Sequence, residues 1–378
     1  MTAIFFPQGA QCSSWCLVPV ASGRPTTRWQ LTLREDPTGI RACFRYALIY
    51  SQGVLRNTTR KKLRSGGRVG SIKRLGEEQR LAWQIAVIGT IDIDDVRTPR
   101  GEALGLLGGS AVYAGLAASR FAPVLLHGSV GEDSAALLRE TLAGLDIDIT
   151  GVSISRAPTR RWRASHDFTT WQTSSENVEG GDAGWSPMLT ADAVQAPVLF
   201  LGSMSAKKQR EAVKQSQARL IGVDSMSAFI DLQADDVRYV AERADILFLT
   251  QYELAGLTNT GSKSWVQAAR SLLRHGRPRA VVVKHGPAGA ALVTEHATFQ
   301  EPAPSVTNVI DPTGAGDAVA GGFLGSCALA ERDDCEYFVR ALRDGVRSAA
   351  ATLTTFGIKG LLQSLTCPSP WEPHLSGK

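Results

Sequence analysis

The 378-residue chain is 43% hydrophobic and 20% charged, an ordinary globular composition with length for one large α/β domain or two small ones. No apolar run reaches the roughly 18 residues that span a bilayer, which excludes a helical membrane protein. The formal charge of +5 is uneven: residues 1–80 hold 14 of the 41 Lys and Arg but 4 of the 36 Asp and Glu. The remainder is mildly acidic and suggests neither a nucleic-acid nor a membrane partner. Cysteines at 12, 16, 43, 327, 335 and 367 form no disulfide framework or zinc spacing, and the six histidines show no metal spacing.

Residues 1–80 show no sustained helical or strand period and are expected to be a dispensable, largely disordered basic extension. An organelle transit peptide and a gene model begun upstream of the true start are both open readings of them. From Trp83 the texture changes. Ile85–Gly89 reads as a buried strand, and 90–94 alternates in the strand period, placing Asp92 and Asp94 on one face and Ile91 and Ile93 on the other. Gly108 and Gly109 precede a small-residue helix running to Arg120. A strand over 122–130, a helix over 134–145 and a strand over 146–154 follow. Residues 159–176 are polar, aromatic and roughly alternating.

From Val198 the α/β alternation is regular. Val198–Leu201, Leu220–Val223, Ile246–Leu249 and Ala280–Val283 are apolar runs of the buried parallel-strand type, and Ser264–His275 is an amphipathic helix between two of them. Such repetition predicts a doubly wound, mostly parallel sheet flanked by helices, with ligands gathered at the C-terminal ends of its strands. Thr250, Lys284 and Asp311 stand at such ends.

The most informative stretch is 307–325. The apolar pair Val309 and Ile310 is expected to close a strand, which turns through Pro312, Gly314, Ala315 and Gly316 into a helix reaching Ala330. Free N–H groups at a helix start, together with the helix dipole, favour a phosphate. The glycines let it approach the backbone. Asp317 stands at the mouth of this anion hole, where a carboxylate can take the proton of an attacking hydroxyl. No Walker loop is present.

Asp311, Pro312, Thr313, Gly314, Ala315, Gly316, Asp317, Gly321 and Gly322 together resemble the C-terminal signature of the ribokinase-like (PfkB) sugar and nucleoside kinases. The resemblance covers about residues 84–365. It implies a kinase domain over 81–365 with a tail at 366–378, and a small β-sheet lid drawn from about 94–107 and 150–176. It implies ATP and Mg²⁺, with K⁺ as a further candidate, a cytoplasmic location (organellar if 1–80 is a transit peptide) and scope for a homodimer through the lid. Asp94, with Asp92 and the Gly108–Gly109 backbone, would hold the hydroxyls of a sugar or nucleoside. Thr250 and Glu253 would order metal and phosphates, and Lys284, Gly286 and Gly289 would contact the nucleotide. Gly357 would border it, and Asp311 and Thr313 would build a monovalent-cation site. Arg161, Trp162, Arg163 and His166 would offer lid side chains to the ligand. Two positions depart from the family pattern: Tyr113 and Thr250 stand where asparagines are usual. They leave open a non-catalytic ligand-binding or scaffolding protein, whereas the absence of a Gly-x-Gly-x-x-Gly after the first strand argues against a dinucleotide oxidoreductase.

Overall fold

The computed structural model describes residues 83–179, 184–258, 264–328, 330 and 334–366. The expectations for 1–80 and for the tail beyond Thr366 fall outside the described residues. The described residues form two sheets. The larger has nine strands in the order β13-β12-β11-β10-β9-β8-β1-β4-β5. These are β1 (Ile85–Ile88), β4 (Val124–Gly131), β5 (Ile147–Ser155), β8 (Val198–Leu201), β9 (Leu220–Asp224), β10 (Ile246–Thr250), β11 (Ala280–Lys284), β12 (Ala290–Val293) and β13 (Thr298–Glu301). From β11 to β5 every pairing is parallel, while β12 and β13 close one edge as antiparallel strands. The fold is therefore α/β and mostly parallel, as the apolar runs predict.

Alternate residues of the central strands feed two cores. Ile85, Val87, Phe200, Phe248 and Val282 pack on one face, where the helices Ser110–Ser119, Ala315–Ala328 and Cys335–Thr352 lie. Ala86, Ile88, Leu199, Leu247 and Val283 pack on the other, against helices that include Ala234–Ala241 and Trp265–Leu272. This period of two places both faces of the sheet in apolar surroundings, the signature of parallel strands covered on both sides. Phe200, Phe248 and Phe323 form an edge-to-face chain with centroids 6.2 and 5.5 Å apart, bonding helix 315–328 to the sheet.

The smaller sheet has the order β3-β2-β6-β7: β2 (Asp92–Thr98), β3 (Gly101–Gly108), β6 (Arg160–Asp167) and β7 (Gln172–Glu179). It takes 160–179 in place of the expected 150–176, because residues 151–155 stay paired with β4 on the large sheet. A second difference concerns 309–312. These residues form no strand; they enter the helix as a loop whose Ile310 N–H donates to the Leu353 carbonyl at 2.8 Å. The apolar pair is too short, and is followed too soon by Pro312, to sustain a ladder.

Helices 110–119 and 315–328 lie in close contact. A Cβ on Gly321 would overlap the Ala114 backbone, and one on Gly325 would press to 2.8 Å from Ala118. The small-residue runs at both positions allow this approach, which brings two helix N-termini, distant in the chain, to one place.

Candidate active site

The strand order reverses at β1 and β8, since β4 and β5 extend the sheet to one side and β8 to β11 to the other. A crevice is expected outside the C-terminal ends of strands at such a point. A cleft of about 490 Å³ lies there, lined by Thr90 after β1, Ser203 after β8, Asp224 of β9, Glu253 after β10 and Lys284 of β11. The small sheet contributes Asp92, Asp94, Arg160 and Trp162. Gly109, Ser110 and Tyr113 come from the start of one helix; Thr313, Gly314, Gly316 and Asp317 come from the start of the other.

Of the residues singled out in the sequence, Asp92, Asp94, Gly109, Glu253, Lys284, Thr313, Gly314, Gly316 and Asp317 converge on this cleft. Gly108 stands behind Asp94: a side chain there would overlap its carboxylate, so only glycine leaves it room. Ala315 opens the helix, its N–H donating to the Pro312 carbonyl at 3.1 Å. Gly286 and Gly289 do not line the cleft. They flank a short 3₁₀ turn after β11 with φ of 56° and 96°, values that favour glycine. Thr250 and Glu253 cap their helix reciprocally: the Thr250 N–H donates to Glu253 Oε2 at 2.7 Å and the Glu253 N–H to Thr250 Oγ1 at 3.2 Å. Gly357 (φ 62°) donates its N–H to Asp311 Oδ2 at 2.9 Å, while Asp311 Oδ1 accepts from the Thr313 N–H at 2.8 Å.

Several partners differ from the simplest sequence expectation. Asp92 is gripped by Arg160, which donates from Nε at 2.7 Å and from Nη2. Lys284, expected to meet a phosphate, pairs with both Asp224 oxygens at 2.8 and 2.7 Å. Its head still borders the start of helix 315–328, for Nζ would lie 3.4 Å from a Cβ on Gly316. Among the lid candidates only Trp162 lines the cleft. Arg161 pairs with Asp95 at 3.0 Å and Arg163 with Glu176 at 2.8 Å. His166 turns to the anion-hole loop instead: Nε2 lies 2.8 Å from Thr313 Oγ1 and 3.8 Å from Asp311, and Nδ1 lies 2.8 Å from Thr173 Oγ1.

Sequence reasoning missed Asp224, Ser110 and Arg160. Asp224 had a signal, an acid directly after the apolar run of a parallel strand. Ser110 locks three elements together, since its hydroxyl accepts from the Thr90 N–H at 3.0 Å and donates to the Ser203 carbonyl at 3.3 Å. Tyr113 was visible only as a departure. Its buried ring covers Gly314, whose φ of 73° and absent Cβ leave space for it, and its hydroxyl has no hydrogen-bond partner among the described residues.

Crowded carboxylates shift each other. Burial pushes the Asp317 carboxyl up to about 7, helped by Asp224 and opposed by Lys284. Asp94 is raised well above the usual carboxylate range by burial and by Asp92, against the pull of Arg160. Glu253 is raised by burial, Lys284 opposing and Asp224 reinforcing. Burial works to lower Lys284, but the attraction of Asp224 and Glu253 leaves it raised and charged. Two like-charged carboxylates near a half-buried acid are the usual means of giving it a proton affinity near neutrality.

The chain matches the profile of the pfkB family of carbohydrate kinases over residues 106–363. It is 28% identical over 247 residues to the cytidine kinase of Thermococcus kodakarensis, covering 64% of this chain and 87% of that one. Over 310 residues it is 25% identical to the aminoimidazole riboside kinase of Salmonella typhimurium, covering 78% and 95%. Its fold is similar to that of the fructokinase of Vibrio cholerae, with a TM-score of 0.61, 20% identity, and coverage of 75% and 98%.

Proposed function

Given that this chain belongs to the pfkB family of carbohydrate kinases, we propose that it transfers the γ-phosphoryl group of ATP to a hydroxyl of a sugar or nucleoside, with Asp317 as the general base. The observation that carries the assignment is the position of Asp317. It stands in the first turn of helix 315–328, on the cleft, beside Gly314 and Gly316, with a proton affinity near neutrality. A base matched to the working pH transfers protons best.

In this reading Asp94 accepts a hydrogen bond from an acceptor hydroxyl and fixes the ring beside the N-terminus of helix 110–119. The attacking oxygen bonds to the γ-phosphorus as its proton passes to the Asp317 carboxylate, and the bond to the departing ADP breaks. The N–H groups at the start of helix 315–328 face the developing charge, and Lys284 adds a positive charge at the hole. Asp224 and Glu253, both on the cleft, supply the oxygen chemistry that a Mg²⁺ ion prefers. When bound, Mg²⁺ would neutralise phosphate charge in a cleft otherwise rich in carboxylates. Asp311 keeps lone pairs after accepting from Thr313 and Gly357, so Asp311 and Thr313 remain the position for a K⁺ ion. Small soluble substrates and the exposed thiol of Cys335 suit a cytosolic enzyme.

The test is ADP release by the purified protein against a panel of sugars and nucleosides, with Asp317→Asn alongside. Acceptor-dependent ADP release that is lost in the variant supports the proposal. Equal release by both proteins would remove Asp317 from the chemistry.

A further inference from the structure

We infer that the acceptor is a neutral nucleoside, its ribose on the polar floor of the cleft and its base against Trp162, rather than a free sugar or a sugar acid. This rests on the kinase reading above and narrows it. The fold leaves the question open, since it also serves a fructokinase.

Charge removes one class of acceptor. The cleft is lined by Asp92, Asp94, Glu176, Asp224, Glu253 and Asp317, against Arg160 and Lys284. Arg160, the cation on the side of Asp92 and Asp94, is already engaged by Asp92, and Lys284, paired with Asp224, stands by Gly316 at the helix start assigned to ATP. An acceptor bearing a carboxylate or phosphate would be desolvated beside like charges with no cation to receive it.

The floor selects hydroxyls. Buried polar groups are normally hydrogen-bonded. Among the described residues, eight buried side-chain polar atoms have no partner, and four of them belong to cleft residues: Asp94 Oδ1, Tyr113 OH, Ser203 Oγ and Ser225 Oγ. Burial and the nearby Asp94 raise the Tyr113 hydroxyl far above its ordinary value, so it stays protonated and offers a donor. Together these groups provide unpartnered acceptors and donors within the cleft, the complement of a ribose.

The cleft also carries apolar lining, and Trp162 of that lining stands beside Asp94. β2 and β6 run parallel in register, so Asp92 stands next to Arg160 and Asp94 next to Trp162 on one face. The Asp92–Arg160 ion pair follows that register, and the indole takes the adjoining place beside Asp94. Met226, Phe229 and Leu232 line the same cleft, with Met226 38% and Leu232 81% exposed. A free pentose or hexose carries hydroxyls all round and would leave several of them facing this apolar lining without partners. A nucleoside offers the opposite pattern, with hydroxyls on one half and a flat heteroaromatic ring on the other, and the ring can stack on an indole.

The experiment is calorimetric titration of the full-length protein with adenosine, cytidine, D-ribose, D-fructose and D-gluconate, paired with ADP release for each. At least one nucleoside should bind ten times or more tightly than D-ribose, and D-gluconate should not bind. Trp162→Ala should weaken the nucleoside about tenfold and leave D-ribose within twofold, while Trp162→Phe should recover most of the loss. Unchanged thermal midpoints would show that both variants fold. The inference is overturned if D-ribose or D-fructose binds as tightly as both nucleosides, if D-gluconate binds best, if no nucleoside binds, or if Trp162→Ala weakens D-ribose equally. Nucleoside binding without any ADP release would leave it standing and would instead defeat the kinase reading.

Discussion

At the scale of single residues, the raised proton affinity of Asp317 costs stability. Its proton affinity in the fold is about 7, against an ordinary value of 3.8. Between those values the folded protein holds a proton that the unfolded chain has released, so stability falls as pH rises from about 4 to about 7 and is level above. Asp317→Asn removes this burden. We expect its thermal midpoint at pH 8 to exceed that of the native protein, while turnover falls about 10²–10⁴-fold, the range for a lost general base. ATP affinity, measured on the same preparation, should be retained, because the backbone of Gly314–Gly316 is untouched. A fall in midpoint would show that the carboxylate holds its helix start instead.

The same shift sets the pH profile. In the native protein kcat/KM should climb through about pH 7 and then level, since the base works only when ionised. A flat profile from pH 5.5 to 8.5 would contradict the assignment. Asp317 and its glycines were legible because a phosphate hole is a local device, written within a few consecutive residues. The groups that tune it were not. Asp224, Arg160 and Ser110 reach the cleft from other elements, and no spacing in the chain announces that Lys284 will face Asp224 or that Arg160 will hold Asp92.

At the scale of elements, the large sheet was readable wherever strands are buried on both faces, since an apolar run needs no partner to be recognised. β12 and β13 escaped notice: β13 is largely exposed at the sheet edge, and β12 follows so closely on the Gly286–Gly289 turn that its apolar residues merge with that turn in the sequence. The presence of a second, smaller sheet was foreseeable, but its attachment was not. His166 of β6 is bonded to Thr173 of β7 and to Thr313 of the anion-hole loop, which joins the two layers. Burial lowers its proton affinity, with Asp311 opposing, so the imidazole is neutral at pH 7 and its contribution fades as pH falls below about 6.5. His166→Ala should lower stability by about 1–3 kcal/mol for two lost hydrogen bonds. It should also raise the KM for ATP, because the loop before Gly314 loses its tether. A useful contrast is Asp334, whose carboxylate caps helix 335–352 by accepting from the Tyr337 N–H at 2.9 Å. Asp334→Ala should cost about 1 kcal/mol in denaturant titration and leave both KM values unchanged. Identical kinetics for the two variants would make His166 a stabilising residue only.

At the scale of the whole molecule, every strand from β1 to β13 has its neighbours among the described residues within 85–301, and the family match spans 106–363. A fragment of residues 81–378 should therefore be soluble, unfold within a few degrees of the full chain, and keep its ADP release. Failure to express solubly would show that residues 1–80 take part in folding.

The pairing of helix 110–119 with helix 315–328 also bears on how the protein is made. Residues 110–118 are all buried, and much of their cover comes from a helix that leaves the ribosome long after them. β1 likewise sits between β4, which follows soon, and β8, which arrives much later. Until the last helices emerge, an apolar helix and an open sheet face stand uncovered, the state in which nascent chains aggregate. A chain stopped at residue 306 should accumulate in the insoluble fraction and bind chaperones, whereas a chain stopped at 366 should be released folded. The two helix starts that line the cleft therefore come together in one step, only after residue 315 has followed residue 110 out of the ribosome.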